Sequence, residues 1–152
     1  MNNFIYHAPT KVIFGRGVEA QIGEELKKHG AKKVLIHYGG GSVKKNGLID
    51  KVTASLKQAG IAWVELGGVQ PNPKLSFIHK GIALCREDKV DFILAVGGGS
   101  VIDSSKAIGV GLATGNDPWQ YASTGTHPED HEVFPVGVVL TLAAAGSERS
   151  EE

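Results

Sequence analysis

Asp91-Phe92-Ile93-Leu94-Ala95-Val96-Gly97-Gly98-Gly99-Ser100-Val101-Ile102-Asp103-Ser104-Ser105-Lys106 is the stretch whose reading decides the fold. Its first half is a near-continuous apolar run, the pattern of a parallel strand covered on both faces. Three glycines and a serine follow at once. A helix is then expected from about Val101 to Ala113. Strand, glycine turn and helix in direct succession make a βα unit, and such units build parallel sheets through right-handed crossovers.

The same device stands earlier in the chain. Val34-Leu35-Ile36-His37-Tyr38 reads as a buried strand closed by Gly39-Gly40-Gly41-Ser42. A helix over residues 48–59 follows, with Leu48, Val52 and Leu56 on one face, and then a strand over residues 61–66. Pro71-Asn72-Pro73 stops that strand, and Pro73 suits the start of a helix over residues 74–88 with Ile78, Ile82 and Cys85 inward. Residues 134–140 form a last β-branched run.

Upstream, Phe4-Ile5-Tyr6 and Lys11-Val12-Ile13-Phe14 read as a hairpin broken at Pro9. A helix over residues 18–29 follows, with Val18, Ile22 and Leu26 spaced by four and Gly30 at its end. Residues 117–132 read as a loop with one weak turn at Trp119-Gln120-Tyr121. The predicted architecture is α/β: a Rossmann-like parallel sheet with helices on both faces, preceded by a β-hairpin, in one dinucleotide-binding domain over residues 1–152.

Composition narrows the partners. The chain has 152 residues, 41% hydrophobic and 21% charged, with zero formal net charge, so it offers no electrostatic footprint for nucleic acid or an anionic membrane. Its one cysteine, Cys85, excludes an internal disulfide framework and fits a reducing compartment. No apolar run approaches the ~20 residues that span a bilayer. The start lacks the basic and apolar regions of a signal peptide, so a cytoplasmic location is expected.

Three motifs carry chemistry. Gly97, Gly98, Gly99 and Ser100 stand between a strand end and a helix start, where unpaired amides and the helix dipole attract anions. Glycines admit a pyrophosphate close to the backbone, Ser100 adds a hydroxyl donor, and Asp103 is expected in the first turn of the helix. Gly39, Gly40 and Ser42 form a second turn, at a strand end free of acids and followed by Lys44 and Lys45. A ribose 2′-hydroxyl is usually gripped by an acid, whereas a 2′-phosphate wants cations, so this turn favours NADPH over NADH. Third, Thr141 opens a run of small residues after the last strand and can reach a nicotinamide or ribose.

Other residues read as structural. His127 and His131 fall in a solvated acidic loop, Cys85 in a buried apolar position, and Trp63 and Trp119 in packing, with the cofactor mouth as the alternative place for Trp119. The remaining histidines are scattered, as surface or satisfied core residues.

In order, Pro9-Thr10-Lys11-Val12-Ile13-Phe14-Gly15, Tyr38-Gly39-Gly40-Gly41-Ser42-Val43-Lys44-Lys45-Asn46-Gly47, Pro71-Asn72-Pro73, the run from Gly97 to Lys106 and Gly146-Ser147-Glu148 resemble the N-terminal domain of the iron-containing (group III) alcohol dehydrogenases. The similarity is greatest to their NADPH-dependent butanol dehydrogenase and aldehyde reductase branch, and it spans residues 1–148. It implies that Gly97, Gly98, Gly99, Ser100 and Asp103 hold the pyrophosphate and that Gly39, Gly40 and Ser42 surround the 2′-phosphate. It further implies that Asn72 touches the adenosine side and Thr141 lines the nicotinamide region. The reaction implied is reversible hydride transfer between NADPH and a short-chain alcohol or aldehyde. Iron or zinc would polarise the oxygen, and homodimers would form through the N-terminal strand. In this family an Asp and three His hold the metal in a helical C-terminal domain. The chain ends at Glu152 without one, so no metal or catalytic residue carries over, and Ala145 replaces a usual threonine. The fragment alone is expected to be inactive and prone to self-association. The alternatives are a non-catalytic nucleotide-binding module and a dehydroquinate-synthase-like lyase, which shares the architecture.

Overall fold

The structure, a computed structural model, describes residues 10–126, 133–143 and 146–147. Four parallel strands, β1 (Lys33–Tyr38), β2 (Ala62–Leu66), β3 (Phe92–Gly97) and β4 (Val136–Leu140), lie in the order β2-β1-β3-β4. The helices are α1 (Ile22–Lys28), α2 (Ser42–Lys45), α3 (Leu48–Gln58), α4 (Leu75–Glu87), α5 (Gly99–Thr114) and α6 (Pro118–Thr124). No described helix is long and apolar enough to cross a membrane.

The apolar runs of β1 and β3 are continuous because both faces of the sheet are covered. Val34, Ile36, Phe92, Leu94 and Val96 pack with Leu26 of α1 and Ile49, Val52 and Leu56 of α3. Leu35 and Ile93 face the other way, onto Ile78, Ile82 and Cys85 of α4 and Ile108 of α5. Successive strand residues therefore enter opposite cores, which take apolar side chains from β1 and β3 except at His37. The inward stripe expected on α4 is the one observed. Cys85 is 1% exposed, and burial pushes its thiol up to about 12, which leaves it unreactive at neutral pH.

The chain reverses direction of growth at β1. It leaves β1 for β2 on one side and then returns to place β3 on the other. The register aligns Tyr38 with Val96, so β1 and β3 end side by side at the switch point.

Several elements depart from expectation. Residues 11–14 form no strand with any described residue, and Val12 and Phe14 are 76% and 99% exposed. β-Prone residues do not make a strand without a neighbour to satisfy its ladder. The other arm of the expected hairpin lies outside the described residues.

The helix expected over residues 18–29 begins as a 3-10 turn, Val18–Gln21, before α1. Ser55 sets this junction. Its hydroxyl accepts from the Gly23 amide at 2.9 Å and donates to the Ala20 carbonyl at 2.7 Å, satisfying groups that a continuous helix would pair internally.

Part of the expected loop after α5 is α6. Asp117 caps it by accepting from the Trp119 amide at 2.9 Å, with Pro118 at the first helical position, a standard start signal. Trp119 is 59% exposed rather than packed. Trp63 does pack against the core on β1.

Candidate nucleotide-binding edge

The two glycine turns leave the sheet from adjacent strands, at the same end. Gly97 closes β3, and α5 begins two residues later at Gly99. No side chain caps α5, so the amides of its first turn lack the usual side-chain partner and point out of the sheet edge. Sixteen residues of helix stand behind them, enough for a full macrodipole. Ser100 is the second residue of α5 and half-buried. Asp103 is not in the first turn as expected. Because the helix starts at Gly99, two residues before the expected Val101, Asp103 falls one turn in and is exposed.

Glycine has different reasons at different places here. A Cβ on Gly97 would meet Val101 Cγ2 at 2.6 Å, so packing demands it. At Gly40 and Gly41 a Cβ would meet nothing within 4 Å, and at Gly98 and Gly99 only ordinary contacts, at 3.8 and 3.4 Å. None of these four has a positive φ. The fold itself does not ask for glycine there; a ligand approaching the backbone closely would.

The third motif sits against the β3 turn. The Thr141 amide donates to the Gly97 carbonyl at 3.1 Å, and Leu142 and Ser147 are the neighbours that a Cβ on Gly98 or Gly99 would meet. Thr141 is exposed at this edge. Asn72 lies on the exposed segment between β2 and α4 with φ 55°, a left-handed conformation that asparagine tolerates better than most residues. That segment starts at the first glycine turn, where the Gly68 amide donates to Gly39 O at 2.9 Å and the Val69 amide to Tyr38 O at 3.3 Å. Gly39, Gly40, Ser42, Asn72, the Gly97-to-Ser100 turn and Thr141 thus all belong to the strand-end side of the sheet.

Beneath the turns sits a residue that sequence reasoning left among the scattered histidines. His37 is fully buried, with Nδ1 2.9 Å from Leu66 O and Nε2 2.9 Å from Ser104 Oγ. Its ring stacks on Phe77 at 5.9 Å. Burial, opposed by the bond to the Leu66 carbonyl, lowers its pKa to about 4, so the ring is neutral at pH 7. The bond to a carbonyl puts the ring proton on Nδ1, leaving Nε2 to accept from the Ser104 hydroxyl. One side chain thereby ties β1, the end of β2 and α5 together.

A second group escaped notice. The Tyr38 hydroxyl donates to Glu65 Oε2 at 3.0 Å, and Lys44 Nζ lies 3.3 Å from the same oxygen. The Lys44 ammonium also stands 5.1 Å from the centre of the Tyr38 ring, and the phenol and the carboxylate together hold its pKa above the ordinary lysine range. The end of β1 is free of acids, as read from the sequence, but the second parallel strand of the sheet is β2, and Glu65 stands next to its end. Lys44, one of the two lysines expected to favour a 2′-phosphate, is paired with that acid.

Two open hollows of about 370 and 400 Å³, one around Glu19, Lys51 and Ser55 and the other around Lys27, Lys32 and Gly60, touch neither turn. Among the described residues no three His, Cys, Asp or Glu gather to hold a metal. His79 is exposed and pairs with Asp117 at 3.1 Å. His127, His131, Ala145 and Glu148 lie outside the described residues.

The family model described as iron-containing alcohol dehydrogenase matches residues 9–151. The chain is 53% identical over its whole length to the Bacillus subtilis protein named Probable NADH-dependent butanol dehydrogenase 2, covering 38% of it. It is 47% identical to the NADPH-dependent aldehyde reductase YqhD of Escherichia coli, over 97% of this chain and 38% of the reductase. Among solved structures, NADH-dependent butanol dehydrogenase A of Thermotoga maritima superimposes with TM-score 0.91 at 48% identity, over 98% of this chain and 37% of that one. The chain therefore spans a little over a third of the length of these relatives.

Proposed function

This chain belongs to the iron-containing alcohol dehydrogenase family, and we propose that it is the nucleotide-holding part of an NADPH-dependent alcohol dehydrogenase or aldehyde reductase. The observation that carries the reading is the placement of Gly39-Gly40-Gly41-Ser42 and Gly97-Gly98-Gly99-Ser100 at neighbouring strand ends on either side of the switch point. Open α/β sheets bind their ligands at that place.

In this reading the first-turn amides of α5 and the Ser100 hydroxyl donate to the pyrophosphate. Gly98 and Gly99 let it reach the backbone, and Asp103, one turn along, orients it from the exposed side. Gly39, Gly40 and Ser42 surround the adenosine 2′-phosphate, Asn72 lies toward the adenosine and Thr141 toward the nicotinamide. Hydride then passes reversibly between nicotinamide C4 and the carbon of a short-chain alcohol or aldehyde. The described residues bring together no group of His, Cys, Asp or Glu that fits a metal ion. The exposed apolar run Val12, Ile13 and Phe14 supports self-association, a homodimer, through the N-terminal segment; sedimentation as a clean monomer would contradict it.

One observation favours NADH instead. Glu65 occupies the place from which a carboxylate takes ribose hydroxyls, and one of the relatives with over half its aligned residues identical is named as NADH-dependent. Calorimetric titration with each cofactor separates the two. Tighter binding of NADPH by about tenfold, ~1.4 kcal/mol, supports the 2′-phosphate reading. Equal binding keeps the site and removes the preference, and no binding of either overturns the site.

A further inference from the structure

The contest between Lys44 and Glu65 deepens the nucleotide reading above and rests on it. Glu65 is not a loosely placed surface acid. Tyr38, which immediately precedes the first glycine turn, fixes it by the 3.0 Å phenol bond. A Cβ on Gly67 would overlap the Tyr38 ring atoms, so only glycine leaves room for the ring there. The Gly68 and Val69 amides lace the β2 end to Gly39 and Tyr38. The fold therefore holds this carboxylate at the lip of the turn, one ion pair away from the cation nearest to it.

The two cofactors ask opposite things of that lip. A 2′-phosphate brings extra negative charge and gains from an unpaired cation, while a 2′-hydroxyl donates to a carboxylate. With Lys44 and Glu65 joined at 3.3 Å, their two charges offset each other, and a phosphate that reaches Lys44 also meets Glu65. We infer that Glu65 is the specificity-determining residue of this edge: by neutralising Lys44 it restrains selection of NADPH and keeps the site open to NADH.

The test is a set of titrations of the chain and its Glu65→Gln, Lys44→Gln and doubly substituted forms with NADPH and NADH. Glutamine at 65 still accepts from the Tyr38 phenol, so the lip stays built while its charge is lost. The ratio of NADPH to NADH affinity is expected to rise about fivefold in Glu65→Gln and to fall about as much in Lys44→Gln, the scale of an exposed ion pair. The double form should lose the rise. Lys44 is 55% exposed, so Lys44→Gln keeps the experiment decisive if Glu65→Gln unfolds, a point read from its thermal melt. A ratio unchanged within about twofold in either folded single variant, with both cofactors still bound, overturns the inference alone. Failure of the parent chain to bind either cofactor overturns the nucleotide reading and this inference with it.

Discussion

The two glycine turns share the letters Gly-Gly-Gly-Ser and the same position after a buried strand, yet they are built for different work. Behind Gly97, Gly98 and Gly99 runs a sixteen-residue helix with uncapped amides. Behind Gly39, Gly40 and Gly41 runs one of four residues. A single turn sums too few peptide dipoles to hold an anion by its N-terminus. In the proposed reading selectivity at the first turn comes from side chains, chiefly Ser42, Lys44 and Glu65, with Lys45 acting at longer range. In that reading the turn on β3 recognises what every dinucleotide has, the pyrophosphate, and the turn on β1 reads what distinguishes one from another. A shared motif thus says where a ligand lies, and the element after it says what is being recognised.

The strongest challenge to this comparison concerns the link between the turns. The His37 ring is refused a proton until about pH 4, against 6.5 for a free histidine. Between those values the unfolded chain takes up a proton that the folded chain does not. Stability present above pH 6.5 is therefore lost as pH falls toward 4, by about 3 kcal/mol. Urea titrations across that range should show the loss, and a folded His37→Gln variant should lack this component of the slope.

Gly99→Asp addresses the β3 turn. A carboxylate in the first turn suits the helix, so the melting temperature should hold, while affinity for both cofactors should fall about a hundredfold by repulsion of the pyrophosphate. An undiminished affinity would remove α5 from the binding account. Gly40→Asp is the counterpart on β1. A Cβ there meets nothing, and the new carboxylate should weaken NADPH about tenfold while leaving NADH unchanged or slightly tighter. Equal losses for both cofactors would mean that the turns do not divide the labour. The smallest effect is expected at exposed Lys45, where glutamine should cost NADPH about twofold, and less at high salt.

The strands, the main helices and the glycine turns could be read from sequence because local pattern carries them. Burial on both faces writes continuous apolar runs, and inward helix stripes such as Ile78, Ile82 and Cys85 repeat at three and four. The selective parts could not be read in that way. Tyr38 and Glu65 lie 27 residues apart, and His37 and Ser104 lie 67 apart, so only the sheet order brings them together. Glu65 lies near the end of β2, the second parallel strand in chain order, and only the pairing of β2 with β1 brings it to Lys44. At residues 11–14 the sequence has β-propensity, but no described residue forms a strand with them. At α6 the signal was available in Asp117-Pro118, but the polar residues that follow concealed it.

The central claim is that both turns face one ligand, and amide resonances test it most directly. In a labelled sample titrated with NADPH, the amides of residues 39–42 and of residues 98–102 should shift together with a single saturation curve. With NADH the second group should shift as before and the first group less. Shifts confined to one turn, or separate saturation curves for the two, would contradict a single dinucleotide site at this edge.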